Sequence, residues 1–289
     1  MIRRVVIPAA GLGTRLLSAT KEQPKEMMPV FARNNSNSLC VKPLVQLLYE
    51  QLYGFGFREF CFVVGRGKRA IEDHFTPDRE FINQLNNKGK NKLAYDLEAF
   101  YNMIKGSTII WVNQPEPQGF GHAVLTAKSF ISNEPFLVCA GDTYIISHNG
   151  HHLKRLVETH LKHRADATLL LQCMKDPRGY GIAEAKEVKD GVFEVKRVVE
   201  KPKKPPSNLA LMPIYMFNPT IMNALEKTSP GFGGEIQLTD GIQKLIDWDQ
   251  RVYAVKLRED EIRLDIGTPE TYWEALNLSY NHFKGETPC

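Results

Sequence analysis

Two rhythms of apolar and polar residues alternate along this chain. Arg3-Arg-Val-Val-Ile-Pro-Ala9 is a short apolar run halted by Gly11, the pattern of a strand buried on both faces. Leu44, Leu47, Leu48 and Leu52 then recur at helical spacing, which predicts a helix opening at Pro43 and stopped by Gly54 and Gly56. Phe60-Cys-Phe-Val-Val64 predicts a second buried strand. A helix over 68–75, a strand over 108–112, a helix over 122–130 and a strand over 136–140 continue the alternation. Such repetition predicts an α/β fold, Rossmann-like, with a mixed, mostly parallel sheet flanked by helices and joined by right-handed crossovers. The stretch 76–107 lacks a strand signal. Its Phe81, Ile82, Leu85, Leu93, Leu97, Phe100, Tyr101 and Ile104 predict two inserted amphipathic helices, parted by Asn86-Asn-Lys-Gly-Lys-Asn91.

Beyond Gly141 the texture changes. The pattern predicts a helix over 151–163, strands over 168–172, 181–184, 192–200 and 209–217, and helices over 220–226 and 236–246. Short strands over 252–255 and 263–266 precede a last helix, with Thr268 as N-cap and Pro269 in its first turn. Lys201-Pro-Lys-Lys-Pro-Pro206 reads as a solvated connection. Neither a repeat nor a linker is apparent. The expectation is one domain over 1–289, in two halves: 1–142, carrying the insertion 76–107, and 143–289.

Composition narrows the function only slightly. With 289 residues, 43% of them hydrophobic and 24% charged, a disordered chain is excluded. The 37 Lys and Arg against 33 Asp and Glu leave +4, too little to argue for nucleic acid but compatible with a small anionic ligand. No apolar run approaches the roughly 18 residues of a membrane helix, and the first apolar run is too short for a secretory signal. Cys40, Cys61, Cys139, Cys173 and Cys289 are odd in number, scattered, and form no Cys-x-x-Cys pair. A soluble protein in a reducing, cytoplasmic setting is expected.

Ala9-Ala-Gly-Leu-Gly-Thr-Arg15 carries the strongest chemical signal, directly after the first strand. Glycines there let backbone N–H groups approach an anion closely. Leu16 stands where a dinucleotide fingerprint needs a third glycine, and the Lys-Ser/Thr of a P-loop is missing. Arg15 and Lys25 supply cations instead, a combination suited to a triphosphate. Gln114 and the glycines Gly119 and Gly121 precede a helix. A Gln amide offers the donor and the acceptor that the imide edge of uracil or thymine requires. Asp142 and Asp265 each close a strand, where two carboxylates could hold one Mg²⁺ against phosphate. Each element also has a plainer reading as a turn or a helix cap. His148, His151, His152, His160 and His163 match no zinc spacing and read as a solvated helix face.

Taken together, Gly11-Leu-Gly-Thr-Arg15 with Pro24-Lys25 resembles the signature loop of the sugar-1-phosphate nucleotidylyltransferases. Lys25-Glu-Met-Met-Pro29, Gly119-Phe-Gly-His-Ala-Val124, Glu200-Lys-Pro202, Ser207-Asn-Leu-Ala210 and Glu235-Ile-Gln-Leu-Thr-Asp240 extend the resemblance over nearly the whole chain. With the insertion, they resemble the uridylyl branch found in bacteria and archaea. That resemblance implies transfer of a uridylyl group from UTP to glucose 1-phosphate with Mg²⁺, giving UDP-glucose and pyrophosphate. It implies that Arg15 and Lys25 act on the phosphates, and that Ala10, Gly11, Gly13, Thr14, Gln114 and Gly119 bind the nucleotide. Gly181, Glu200 and Lys201 would bind the sugar phosphate, and Asp142 and Asp265 the metal. The first half would then be nucleotide-binding and the second sugar-phosphate-binding. Members commonly assemble as dimers or tetramers, so a homo-oligomer is expected, with neither nucleic acid nor membrane as partner. Two departures bring in dTTP as an alternative nucleotide. Asp142-Thr-Tyr-Ile145 follows Gly141, where bacterial uridylyl enzymes usually have Pro, and Asp265-Ile-Gly-Thr-Pro-Glu270 is more similar to thymidylyl, guanylyl and archaeal relatives, with the Asp kept in both. A non-catalytic nucleotide-sugar sensor is the alternative of another class. It would be expected to have lost the cations or carboxylates that remain here.

Overall fold

Strand order explains why distant segments of this chain end in one place. The computed structural model describes residues 2–285, so Cys289 lies outside the described residues. The chain opens with β1 (Arg4–Pro8), α1 (Leu17–Thr20), β2 (Pro29–Arg33), β3 (Leu39–Pro43), α2 (Leu44–Phe55), β4 (Glu59–Val64) and α3 (Arg69–His74). There follow α4 (Arg79–Asn87), α5 (Asn91–Lys105), β5 (Thr108–Asn113), α6 (Phe120–Thr126), β6 (Phe136–Cys139), β7 (Thr143–Ile146), α7 (His151–Lys162) and β8 (Ala167–Cys173). The last third comprises β9 (Gly181–Lys189), β10 (Val192–Glu200), β11 (Leu209–Phe217), α8 (Thr220–Glu226), α9 (Leu238–Asp247), β12 (Val252–Lys256), β13 (Ile262–Asp265) and α10 (Pro269–Lys284).

Nine strands form one mixed sheet in the order β5-β4-β1-β6-β11-β8-β12-β10-β9. The first four run parallel. From β6 onward antiparallel pairs enter, with β8 and β12 still parallel. One sheet therefore runs through both halves of the chain. Because β1 lies between β4 and β6, strand order reverses there, which opens a crevice beyond its carboxyl end.

Alternation along the strands builds a core on each face. Val5, Ile7, Phe60 and Phe62 pack with Tyr49 and Leu52 of α2, while Val6, Cys61 and Val63 pack with Val124 of α6 and Ile242 of α9. Burying each such side chain contributes roughly 1.5–3 kcal/mol. The two inserted helices are α4, capped by Asp78 accepting from the Phe81 N–H, and α5, which buries Ala94 and Phe100. Among the described residues, no helix is long and apolar enough to cross a membrane.

Several elements depart from the sequence reading. The hairpin β2–β3 and the strand β7 were not expected. α9 starts at Leu238 rather than Ile236, because the Ile236 N–H donates to the Gln118 carbonyl and its own carbonyl accepts from Gly121, both at 2.9 Å. α6 runs from Phe120 to Thr126, shorter at its far end than expected.

Candidate active site

The turn after β1 starts the site. Gly13 adopts φ 66°, and the Thr20 hydroxyl donates to its carbonyl at 2.9 Å. A Cβ at Gly13 would lie 3.1 Å from that hydroxyl. Behind it stand only a single 3₁₀ turn over Thr14–Leu16 and the four-residue α1. Anion binding must therefore rest on turn N–H groups and nearby cations more than on a helix dipole. Arg15 projects from this turn, exposed and with no ion pair among the described residues. Lys25, on the 3₁₀ turn Lys25–Met27, reaches across and donates to the Asp142 carboxylate. The Asp142 charge holds the Lys25 ammonium above its ordinary pKa, against the opposing pull of burial.

Asp142 follows β6 and leads into β7. β7 pairs antiparallel with β13, setting Thr143 opposite Asp265, and the Ile266 N–H donates to the Asp142 carbonyl at 3.1 Å. This ribbon makes neighbours of two aspartates that lie far apart in sequence. Burial pushes the Asp142 carboxyl up, but the Lys25 charge and hydrogen bond outweigh it and bring it below the ordinary value. Asp265 is pushed up by burial and by the Asp142 charge, with Arg263, Lys25 and Arg15 opposing. A divalent cation between the two carboxylates would relieve that repulsion. The all-oxygen donor pair suits a hard ion that completes its shell with phosphate and water. Among the described residues, no group of three His, Cys, Asp or Glu is placed to hold a metal. The histidines form no ligand set, and two of them are buried where a solvated face was expected: His152 contacts Ser147 and His160 contacts Thr168 and Asn218, while His148 meets His151 edge to face and His163 stacks on Tyr253.

Two hollows meet over Gly11–Thr14, Lys25 and Asp142. The first, of about 320 Å³, is lined by Ala10, Gln114, Pro117 and Gly119. The second, of about 430 Å³, is lined by Arg15, Gly181, Glu200, Lys201, Arg263 and Asp265. The cleft thus gathers every residue to which the resemblance gave a phosphate, nucleotide, sugar-phosphate or metal role. In the second hollow Glu200, opposite Gly181 in the β9–β10 ladder, accepts from the Thr239 hydroxyl at 2.6 Å and forms an ion pair with Lys201 at 3.2 Å. Lys201 has φ 39° and its ammonium lies 5.1 Å from the Phe232 ring centre. A non-glycine residue held in that region is strained, and such strain tends to gather at functional sites. Asp240, the last residue of the Glu235–Asp240 motif, does not line the cleft. Its carboxylate lies against Gly231.

A single segment, Glu235–Gln237, touches both hollows. Its backbone brackets Ile236 between Gln118 and Gly121. It passes so close to Gly119 that a Cβ there would lie 2.7 Å from Glu235 Cβ and from the Ile236 carbonyl oxygen. Some neighbours were given no role from the sequence, although Glu26 and His122 stand inside quoted motifs. Glu26 and Lys68 form a buried ion pair at 2.8 Å behind Lys25. Arg263 donates to the Tyr180 hydroxyl at 2.9 Å. His122 meets the Gln114 amide at 2.9 Å.

Comparison with known proteins supplies a relationship for this geometry. Residues 4–281 match the family model described as nucleotidyl transferase. The chain is 37% identical over 286 residues to a UTP–glucose-1-phosphate uridylyltransferase of Pseudomonas aeruginosa, covering 98% of this chain and 97% of that one. It is 39% identical over 270 residues to a putative UTP–glucose-1-phosphate uridylyltransferase of Methanocaldococcus jannaschii, covering 92% and 89%. A crystal structure of UDP-glucose pyrophosphorylase complexed with UDP-glucose superposes with a TM-score of 0.83 at 33% identity, covering 98% of this chain and 100% of that one. UTP-bound UGPase from Acinetobacter baumannii superposes with a TM-score of 0.83 at 29% identity, covering 96% and 93%.

Proposed function

The chain belongs to the nucleotidyl transferase family, and from that membership we propose that it transfers a uridylyl group from UTP to glucose 1-phosphate, yielding UDP-glucose and pyrophosphate. The observation that carries this reading is the paired hollow, one part suited to a base and the other to a sugar, joined at Lys25 and Asp142. The relatives it matches are named for these substrates.

The sugar phosphate oxygen attacks the α-phosphorus of the nucleotide. A new P–O bond forms as the bond to the β-phosphate oxygen breaks, and pyrophosphate leaves with that electron pair. No covalent protein intermediate is needed, so the protein acts by positioning and charge neutralisation. The Gly11–Thr14 turn, with Ala10, Gln114 and Gly119, holds the base and ribose. Arg15 binds the outer phosphates and stabilises the leaving group, and with no ion pair among the described residues it is available for them. Lys25 stands at the joint of the hollows, where it neutralises charge at the reacting phosphates. Lys201 clamps the sugar phosphate. Glu200 accepts from sugar hydroxyls, with the Gly181 backbone beside it. Asp142 and Asp265 would hold Mg²⁺, which supplies charge neutralisation and orientation of phosphate oxygens.

The enzyme is read as cytoplasmic, in keeping with the free, buried thiols of Cys61 and Cys139. It is also read as a homo-oligomer of two or four chains, which light scattering tests directly. Purified protein given UTP, glucose 1-phosphate and Mg²⁺ is expected to release pyrophosphate and form UDP-glucose. Absence of both products would sink the proposal.

A further inference from the structure

The Gln114 side chain is 5% exposed in the base-side hollow, and its amide orientation is fixed by two neighbours. One atom, Nε2, lies 3.3 Å from the Gly119 carbonyl oxygen and 2.9 Å from His122 Nδ1. A carbonyl only accepts, so the amide nitrogen must face it. The same nitrogen's second hydrogen then points to His122 Nδ1, which must be the unprotonated, accepting nitrogen of a neutral ring carrying its proton on Nε2. Both amide hydrogens are thereby spent inside the protein. Oε1 has no partner among the described residues. The side chain consequently offers the cleft an acceptor alone, where its sequence had suggested an acceptor and a donor.

We propose that His122 is a positioning residue for base selection: by accepting from the Gln114 amide it fixes Oε1 toward the base, so that the site takes a pyrimidine with an N–H at ring position 3 and refuses one with a lone pair there. The inference rests on reading the cleft as a uridine-nucleotide site and deepens it. Uracil donates its imide N–H to Oε1. Cytosine would set its N3 lone pair against Oε1, two acceptors face to face. Without the imidazole acceptor, the amide is held only by the longer 3.3 Å contact to the Gly119 carbonyl, so Oε1 is fixed less tightly toward the base and discrimination against cytosine weakens. Thymine carries the same imide N–H, so this contact does not separate dTTP from UTP. Any such preference must come from elsewhere in the pocket.

The test compares UDP and CDP binding by calorimetry, which needs no turnover, in the wild type, His122→Phe and His122→Asn. The Asn variant places an oxygen acceptor near the position of the lost Nδ1. Wild type is expected to prefer UDP. His122→Phe should lower the UDP-to-CDP affinity ratio about tenfold, the effect of roughly one hydrogen bond, and His122→Asn should restore most of it. With saturating UTP and glucose 1-phosphate, kcat of His122→Phe should stay within a few-fold of wild type while KM for UTP rises. Should His122→Phe fail to fold by circular dichroism, His122→Leu removes the acceptor with a smaller side chain. Equal binding of UDP and CDP by the wild type overturns the inference. So does a ratio unchanged by either apolar variant, or a loss that Asn does not recover. If the ratios behave as expected but no pyrophosphate is released from UTP and glucose 1-phosphate, the transfer reading fails while this one stands.

Discussion

Gly181→Ala adds one methyl group at the tightest point of the sugar-side hollow. The new Cβ would stand 2.7 Å from Leu211 Cδ1, 2.8 Å from Thr239 Oγ1 and 3.0 Å from Glu200 Oε2, where carbon contacts are comfortable at about 3.5–4.0 Å. Leu211 is only 5% exposed and cannot retreat into the core. The strain must therefore fall on Thr239 and Glu200, whose 2.6 Å hydrogen bond would lengthen. Overpacking of this kind costs about 1–3 kcal/mol. If about 2 kcal/mol of it is felt in sugar-phosphate binding, KM for glucose 1-phosphate rises roughly thirtyfold. KM for UTP should change less than twofold or so, because Gln114 and Gly119 line the other hollow. Initial rates of pyrophosphate release, varying each substrate with the other saturating, measure the split. Gly54→Ala is the control. It lies in α2 with no atom within 4 Å of the added methyl, so it should stabilise by about 0.5–1 kcal/mol and leave both KM values alone. Equal rises in both KM values for Gly181→Ala, or no rise in either, would refute the steric argument.

Three further outcomes are expected. Arg15→Ala and Asp142→Asn should each cut kcat by about a hundredfold or more, and near wild-type turnover in both would show that the assigned roles are wrong. Chelation by EDTA should abolish pyrophosphate release and added Mg²⁺ should restore it; full activity in excess EDTA would remove the metal from the scheme. Glu261 accepts from Arg155 at 2.9 and 2.7 Å and from the Arg258 N–H at 2.9 Å. Burial pushes its carboxyl up, yet these bonds and the Arg155 charge bring it below the ordinary value. The stability it contributes is thus present above the unfolded pKa of about 4.3 and is lost as pH falls through the depressed folded value. Glu261→Gln should cost roughly 3 kcal/mol at pH 7, with the gap in Tm narrowing below about pH 4; a gap independent of pH would contradict this.

The residues legible in the sequence share a local signature. Gly11, Gly13, Gln114, Asp142, Glu200 and Asp265 each follow an apolar run, and in an open α/β sheet such positions face the crevice. Non-local pairing was harder to see. β7 is four residues long and pairs only with β13, so nothing near it marks it as a strand. The hairpin β2–β3 turns through Asn34-Asn-Ser-Asn-Ser38, whose polarity reads as loop although Asn34 organises the turn by accepting from the Ser36 and Ser38 N–H groups. Glu26 and Lys68 are ordinary surface residue types, and their pairing, with the Lys25 charge nearby, makes their burial tolerable. The donor expected of Gln114 was a property of the isolated amide, and two neighbours removed it.

The Glu235–Gln237 segment carries a thermodynamic consequence. It is hydrogen-bonded to the turn that bounds the nucleotide end, and it continues into Thr239, which holds Glu200 at the other end. Any displacement of this segment by one ligand would move the walls that receive the second. The two affinities then obey reciprocal linkage: the factor by which bound nucleotide changes sugar-phosphate affinity equals the factor by which bound sugar phosphate changes nucleotide affinity. An order in which the two bind would therefore reflect access and rate, and the free energy of the ternary complex would be the same by either route.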